Sequence, residues 1–184
     1  MRYQIVDCRW ELANAARGRE LYLEGHIPTA SFLDVDRDLS GPPGPRGRHP
    51  LPEPDDFARA AGEAGIGPDI FVVAHGSTGG AERLWWLLGH FGHDFCAVVD
   101  LDSWRGRLAT GAEEIAAAQF KPRPCDADTI DAEELNARRD ELIILDARVP
   151  ERFRGAEPGR QGARTDPRRA QHALEPASAG DPAR

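Results

Sequence analysis

The sequence predicts an α/β domain with a central parallel sheet flanked by helices, followed by the start of a second domain of the same kind. Three observations predict it. Short apolar runs of strand length alternate with helical stretches up to about residue 105, the order a parallel sheet needs because its crossovers are helices. Ile70-Phe71-Val72-Val73-Ala74 passes through a glycine-rich hexapeptide into Ala81, Leu84, Trp85, Leu88 and Phe91, which recur at helical spacing. Finally, Leu142–Arg148 resembles Gln4–Arg9, with Asp146 placed 139 residues beyond Asp7, about one domain's length.

Taken in order, Ile5-Val6-Asp7-Cys8 reads as a strand that ends in Asp7 and Arg9, and Leu12 to Leu23 as a helix weakened at Gly18. Gly25 and Pro28 set a turn into a short strand at Phe32. Asp34 to Leu39 is acidic and is expected along that strand's edge. Gly41 to Pro54 is a long Pro/Gly loop containing Arg46, Arg48 and His49, and a loop of that length inside a domain is usually functional or disordered. Asp55 and Asp56 put negative charge at the start of the next helix, which stops at Gly65 or at Gly67-Pro68. After the central strand–loop–helix, Cys96-Ala97-Val98-Val99 reads as another buried strand, and Gly111 to Ala118 as a short helix or surface segment. The division expected from these elements is a domain over 1–118, a Pro-containing linker over 119–126, the start of a second domain over 127–154 and an aberrant tail over 155–184. Asp131 with Glu134 makes a capping box at the head of the second domain's first helix. Beyond Gly155, Leu174 is the one large apolar residue in an Arg/Ala/Gly/Pro-rich stretch, so that tail is expected to be disordered.

Composition excludes several functions. A net charge of −8 offers nothing to offset repulsion from phosphates, so nucleic acid is not an expected partner. No apolar run reaches the length of a membrane span, and Met1 to Gln4 runs straight into a strand, so neither membrane nor leader is expected. The three cysteines, Cys8, Cys96 and Cys125, are scattered without metal spacing, which suits a reducing cytoplasm and points to no metal and no cofactor.

The chemistry-bearing stretch is His75-Gly76-Ser77-Thr78-Gly79-Gly80. A tight loop between a strand and a helix aims backbone N–H groups and the positive helix end at one point, which suits an anion. His75 occupies the place where a nucleophile would stand; it reads as a weak anion-binding group or base, or equally as a hydrogen-bonded structural histidine. Ser77 lacks the leading glycine of a hydrolase nucleophile elbow. A phosphatase loop would need a cysteine, which is absent here. The Trp85-Trp86 pair is expected to anchor its helix to the sheet and to the domain interface.

Val6-Asp7-Cys8-Arg9-Trp10, Gly25-His26-Ile27-Pro28-Thr29-Ala30, Arg48-His49-Pro50-Leu51-Pro52, Arg83-Leu84-Trp85-Trp86 and Glu151-Arg152-Phe153-Arg154-Gly155 occur in this order over residues 3–155. Together they resemble the tandem-domain rhodaneses, the thiosulfate and 3-mercaptopyruvate sulfurtransferases, with Thr29 standing where that family usually has glycine. The resemblance implies a catalytically silent first rhodanese domain and the beginning of a second one, whose cysteine carries sulfur as a persulfide from thiosulfate or 3-mercaptopyruvate to a thiol or cyanide. By that resemblance Asp36 and His49 belong to a Ser-His-Asp relay and Arg152, assisted by Arg154, holds the substrate carboxylate. The loop of His75 to Gly80 is then the silent counterpart of the cysteine loop. The sequence change after Gly155 reads as a reading-frame shift, so the thiol-bearing half is expected to be missing and the chain inactive alone. The alternative is a non-catalytic module that binds an anion or a protein. Loss of a covering domain would leave an apolar face and self-association, which a monodisperse monomer at high concentration would refute.

Overall fold

A computed structural model describes residues 2–45, 47–146, 148, 150–154 and 170–171. The chain divides into two compact units, Met1–Asp128 and Thr129–Arg184. The first contains strand β1 (Arg2–Asp7), helix α1 (Arg17–Glu24), β2 (Ser31–Phe32), α2 (Pro54–Glu63), β3 (Ile70–His75), α3 (Gly80–His90) and β4 (Cys96–Val99). Its four strands form one sheet in the order β2-β1-β3-β4 with every pairing parallel. This is the α/β architecture that alternating strand and helix patterns predict.

Period-two alternation divides the sheet between two environments. Val6, Cys8, Val72 and Ala74 enter a core with Phe57, Ala60 and Ala61 of α2 and Ala81, Leu84, Leu87 and Leu88 of α3. Phe57 stacks on Phe91 at 4.7 Å and meets Phe120 edge-on at 5.4 Å, so the start of the expected linker is part of this core. Asp7 and His75, one residue further along β1 and β3, turn to the opposite face beside α1.

Several elements differ from the sequence reading, each for a local reason. The helix expected from Leu12 begins only at Arg17. Asn14 makes a turn instead: its side chain accepts from the Ala16 N–H at 3.1 Å, its carbonyl from the Arg17 N–H at 3.1 Å. Asp34 to Asp38 is a turn rather than a strand edge, because the Asp34 carboxylate accepts from the N–H groups of Asp36 and Arg37 at 2.9 and 3.0 Å. Of the two readings of Gly111 to Ala118, the surface segment holds and the helix does not; it runs irregularly across the domain, fastened where Glu113 accepts from the Thr29 N–H at 3.0 Å. Trp85 is 52% exposed and does not anchor its helix to the sheet, while Trp86 packs against the core and stacks on His90 at 5.2 Å.

Thr29 lies at φ 69°, the left-handed region where a Cβ is disfavoured, which accounts physically for glycine at this place in the resembling family. Thr29→Gly relieves about 1–2 kcal/mol of left-handed strain and returns about 0.5–1 kcal/mol of that as unfolded-state entropy. The variant is therefore expected to be more stable by about 0.5–1 kcal/mol in urea denaturation. A lower midpoint for the glycine variant would refute this account.

The second unit contains α4 (Ala132–Ala137), β5 (Leu145–Asp146), α5 (Pro150–Phe153) and β6 (Ala170–Gln171). Asp131 caps α4 as expected, accepting from the Glu134 N–H at 2.7 Å. Within the stretch that resembles β1, strand β5 covers Leu145–Asp146, which pairs in parallel with Ala170–Gln171. Apart from those two residues, the tail expected to be disordered lies outside the described residues. The repeat seen in the sequence extends to hydrogen bonding. The Arg9 N–H donates to Asp7 Oδ1 at 3.0 Å, and the Arg148 N–H to Asp146 Oδ1 at 3.0 Å. Arg9 Nη2 reaches Asp7 Oδ2 at 2.6 Å, and Arg148 Nη2 reaches Asp146 Oδ2 at 2.6 Å. Two strands 139 residues apart thus end in the same bidentate pair.

Candidate functional site

The carboxyl ends of parallel strands are where open α/β sheets gather their chemistry, because all the loops that follow strands emerge together there. Here that edge collects Cys8 to Trp10 after β1, the Asp34–Asp38 turn and the Pro/Gly loop after β2, and Gly76 to Gly79 after β3.

Asp36 and His49, thirteen residues apart, come together: His49 Nε2 lies 2.6 Å from Asp36 Oδ1. Because an ionised carboxylate only accepts, this contact holds a proton on Nε2 and leaves Nδ1 as the acceptor. Both side chains keep some solvent access, 19% for His49 and 31% for Asp36, so the pair sits at a rim and not in the core. The Trp10 indole meets the His49 ring edge-on at 5.3 Å and donates its own N–H to the Thr78 carbonyl at 3.1 Å. Trp10 therefore joins the histidine to the glycine-rich loop, a role the sequence reading missed. Arg48 stands 3.9 Å from Asp36 and donates to the Leu12 carbonyl at 2.9 Å. Such a dyad can move a proton at Nδ1 while the carboxylate steadies the imidazolium that results.

The loop of Gly76 to Gly80 is built against the backbone that leaves β1. A Cβ on Gly80 would fall 2.0 Å from the Cys8 carbonyl oxygen, and one on Gly76 would fall 2.8 Å from it. Thr78 at φ 60° and Gly79 at φ 87° turn the chain into α3, whose first turn has no side-chain cap. Among the described residues, no N–H of Gly76, Ser77, Thr78 or Gly79 donates to a protein acceptor. His75, expected at the head of this loop, is instead the last residue of β3 and fully buried, 3.8 Å from the equally buried Asp7. Neither of its ring nitrogens has a hydrogen-bond partner among the described residues. Burial holds its pKa below the ordinary histidine range, against the pull of Asp7, and its ring lies on the α1 face of the sheet.

No cysteine occupies the loop. Cys8 is completely buried, its pKa raised by burial and then by Asp7. Cys96 is pushed up to about 11 by burial. Cys125 is exposed, where its N–H donates to the His90 carbonyl at 2.9 Å. Arg154 is exposed just after α5, its N–H donating to the Pro150 carbonyl at 3.0 Å, and the Arg152 side chain lies outside the described residues. Among the described residues, no three His, Cys, Asp or Glu side chains gather as a metal site would require. Among the described residues, no helix is long and apolar enough to cross a membrane.

No family model matches the chain. It is similar to a probable 3-mercaptopyruvate sulfurtransferase of Pseudomonas aeruginosa, 37% identical over an alignment of 163 residues that covers 82% of this chain and 57% of that protein. It is 33% identical over 171 residues to the human 3-mercaptopyruvate sulfurtransferase, covering 84% of this chain and 56% of the relative. Among solved structures it resembles SseA from Escherichia coli, a 3-mercaptopyruvate sulfotransferase of rhodanese fold, with a TM-score of 0.71 and 29% identity over 82% of this chain and 61% of that one. The chain spans a little over half the length of the curated relatives it matches.

Proposed function

From a chain that has the rhodanese fold and is homologous to the 3-mercaptopyruvate sulfurtransferases over four-fifths of its length, we propose a part in rhodanese-type sulfur transfer. The observation that carries this reading is the 2.6 Å contact between His49 and Asp36 at the carboxyl edge of the sheet. In the reaction, a thiolate takes the sulfur atom of 3-mercaptopyruvate or thiosulfate as a persulfide. The S–C or S–S bond of the donor breaks, and pyruvate or sulfite leaves. Pyruvate forms as an enolate that needs a proton. His49, steadied by Asp36, is the group placed to manage that proton or a water beside the sulfur. Arg152 and Arg154 are assigned to the carboxylate of the donor, where a guanidinium holds two oxygens at once.

The nucleophile is not one of this chain's three thiols. Cys8 is buried and Cys96 half-buried, both with raised pKa values, and Cys125 is exposed well away in sequence from any glycine-rich loop. These residues are therefore expected to release no thiocyanate from thiosulfate or mercaptopyruvate and cyanide, and to gain no sulfur mass. Turnover that Cys125→Ser abolishes would overturn this. Joined to the remaining length of the Pseudomonas aeruginosa relative, the chain is expected to support mercaptopyruvate turnover, and His49→Gln to lower kcat by about a hundredfold. An unchanged kcat in that variant would refute the relay.

A second reading, an anion-binding module without turnover, is favoured by the unpartnered N–H groups of Gly76 to Gly79. It requires the isolated chain to be stabilised against heat by sulfate at concentrations that leave Gly79→Ala unaffected. Equal stabilisation of both proteins would dismiss it.

A further inference from the structure

We propose that Arg83 is a positioning residue for the Asp36–His49 pair: its guanidinium clamps both arms of the loop between them and so sets the distance across which they meet. The proposal deepens the relay reading and rests on it.

Arg83 projects from α3, among Leu84, Leu87 and Leu88, at a place where the helix otherwise contributes apolar side chains to the core. It donates from Nε to the Leu39 carbonyl at 2.7 Å and from Nη2 to the His49 and Pro50 carbonyls at 3.2 and 3.1 Å. Leu39 ends the turn that contains Asp36, its N–H bound to the Asp34 carbonyl at 3.0 Å. Pro50, next to His49, also accepts from the Gly41 N–H at 3.1 Å. One side chain thus grips the exit of the Asp36 turn and the backbone of His49 itself, across the mouth of a Pro/Gly loop.

The chemistry of the side chain explains why arginine stands here. A planar guanidinium presents several donors in a fixed fork and can span carbonyls of two chain segments; an ammonium is a single point. The charge is otherwise unfavourable. Burial lowers its pKa from the ordinary arginine range, and among the described residues no carboxylate forms an ion pair with it. An apolar side chain would fill the same space beside Leu84 without that desolvation cost, so what the guanidinium supplies is the span between the two loop arms. Without it, the loop is joined at its base by the Gly41–Pro50 bond alone among the backbone pairs, and the His49 backbone is free to drift from Asp36. A drift of about 1 Å is enough to disable a proton-transfer geometry.

The test is made on the chain with no sulfur donor present, so its result does not depend on whether sulfur transfer occurs. The probe is the imidazole Nε2–H of His49, followed by nitrogen-15 NMR and assigned by its loss in Asp36→Asn. In Arg83→Met the sheet amides are expected to keep their shifts, while this N–H exchanges with water at least about tenfold faster. Arg83→Lys is expected to fall between the two. A role in stability alone would lower the melting temperature and leave the Nε2–H exchange as in the parent, and that result overturns the proposal. If Arg83→Met does not hold its sheet, Arg83→Lys decides: exchange within roughly twofold of the parent overturns, and faster exchange supports.

Discussion

Gly80→Ala is expected to destabilise the fold by about 3 kcal/mol or more. The added Cβ would sit 2.0 Å from the Cys8 carbonyl oxygen and 2.9 Å from Trp10 Cδ1. Both neighbours belong to the segment leaving β1, whose Cys8 N–H is bound to the His75 carbonyl at 2.7 Å, so neither can withdraw without breaking the join between β1 and β3. Nine residues further along the same helix, Gly89 has nothing within 4 Å of its virtual Cβ. Gly89→Ala is expected to stabilise by up to about 1 kcal/mol through helix propensity. Urea denaturation of the two variants should move the midpoint in opposite directions. A Gly80→Ala protein within about 1 kcal/mol of the parent would show that the loop is not seated against β1 as described.

Arg9→Met is expected to cost about 3–5 kcal/mol. The Arg9 side chain is the bidentate partner of Asp7, whose side chain is completely buried, and it also donates to the Leu21 and Gly25 carbonyls at 3.1 and 2.7 Å. Removing it leaves a carboxylate with no access to water and the Gly25 carbonyl without its side-chain donor, while the Leu21 carbonyl keeps only the Gly25 N–H at 3.0 Å. The double variant Asp7→Leu with Arg9→Met should be less destabilised than the sum of the singles, because the uncompensated charge is then gone. Additive costs in that cycle would mean that the pair is not coupled, contrary to the geometry.

Much of the fold can be read from the chain because its signals are short in range. The run Ile70 to Ala74 followed by Leu84, Leu87 and Leu88 specifies a buried strand and an amphipathic helix through residues that lie side by side. Asp131 caps its helix through a contact three residues away. Asp36 and His49, singled out through the resemblance, do meet at 2.6 Å. His75 is instructive in the other direction. Its place before three glycines suggests a loop head, yet it continues the alternation of β3 and faces the same side as Asp7. The alternation was available in the sequence, but the glycines were the louder signal.

Thr29 and Arg83 mark where such reading stops. A left-handed residue is recognisable when it is glycine and hidden when it is threonine. An arginine in an apolar helix face is visible, but the three carbonyls it holds are 33 to 44 residues away along the chain. The sequence by itself determined the alternating strands and helices and the repeated Asp-Arg strand ending. All of these depend on neighbours within a few positions, or on a pattern that recurs. Only the tertiary structure decided that Trp10 touches both His49 and Thr78, that Arg83 spans the loop, and that Cys8 fills the hollow beside Gly80. Such contacts exist only once strand order and register have brought distant segments to one edge, and nothing in either segment alone encodes that meeting.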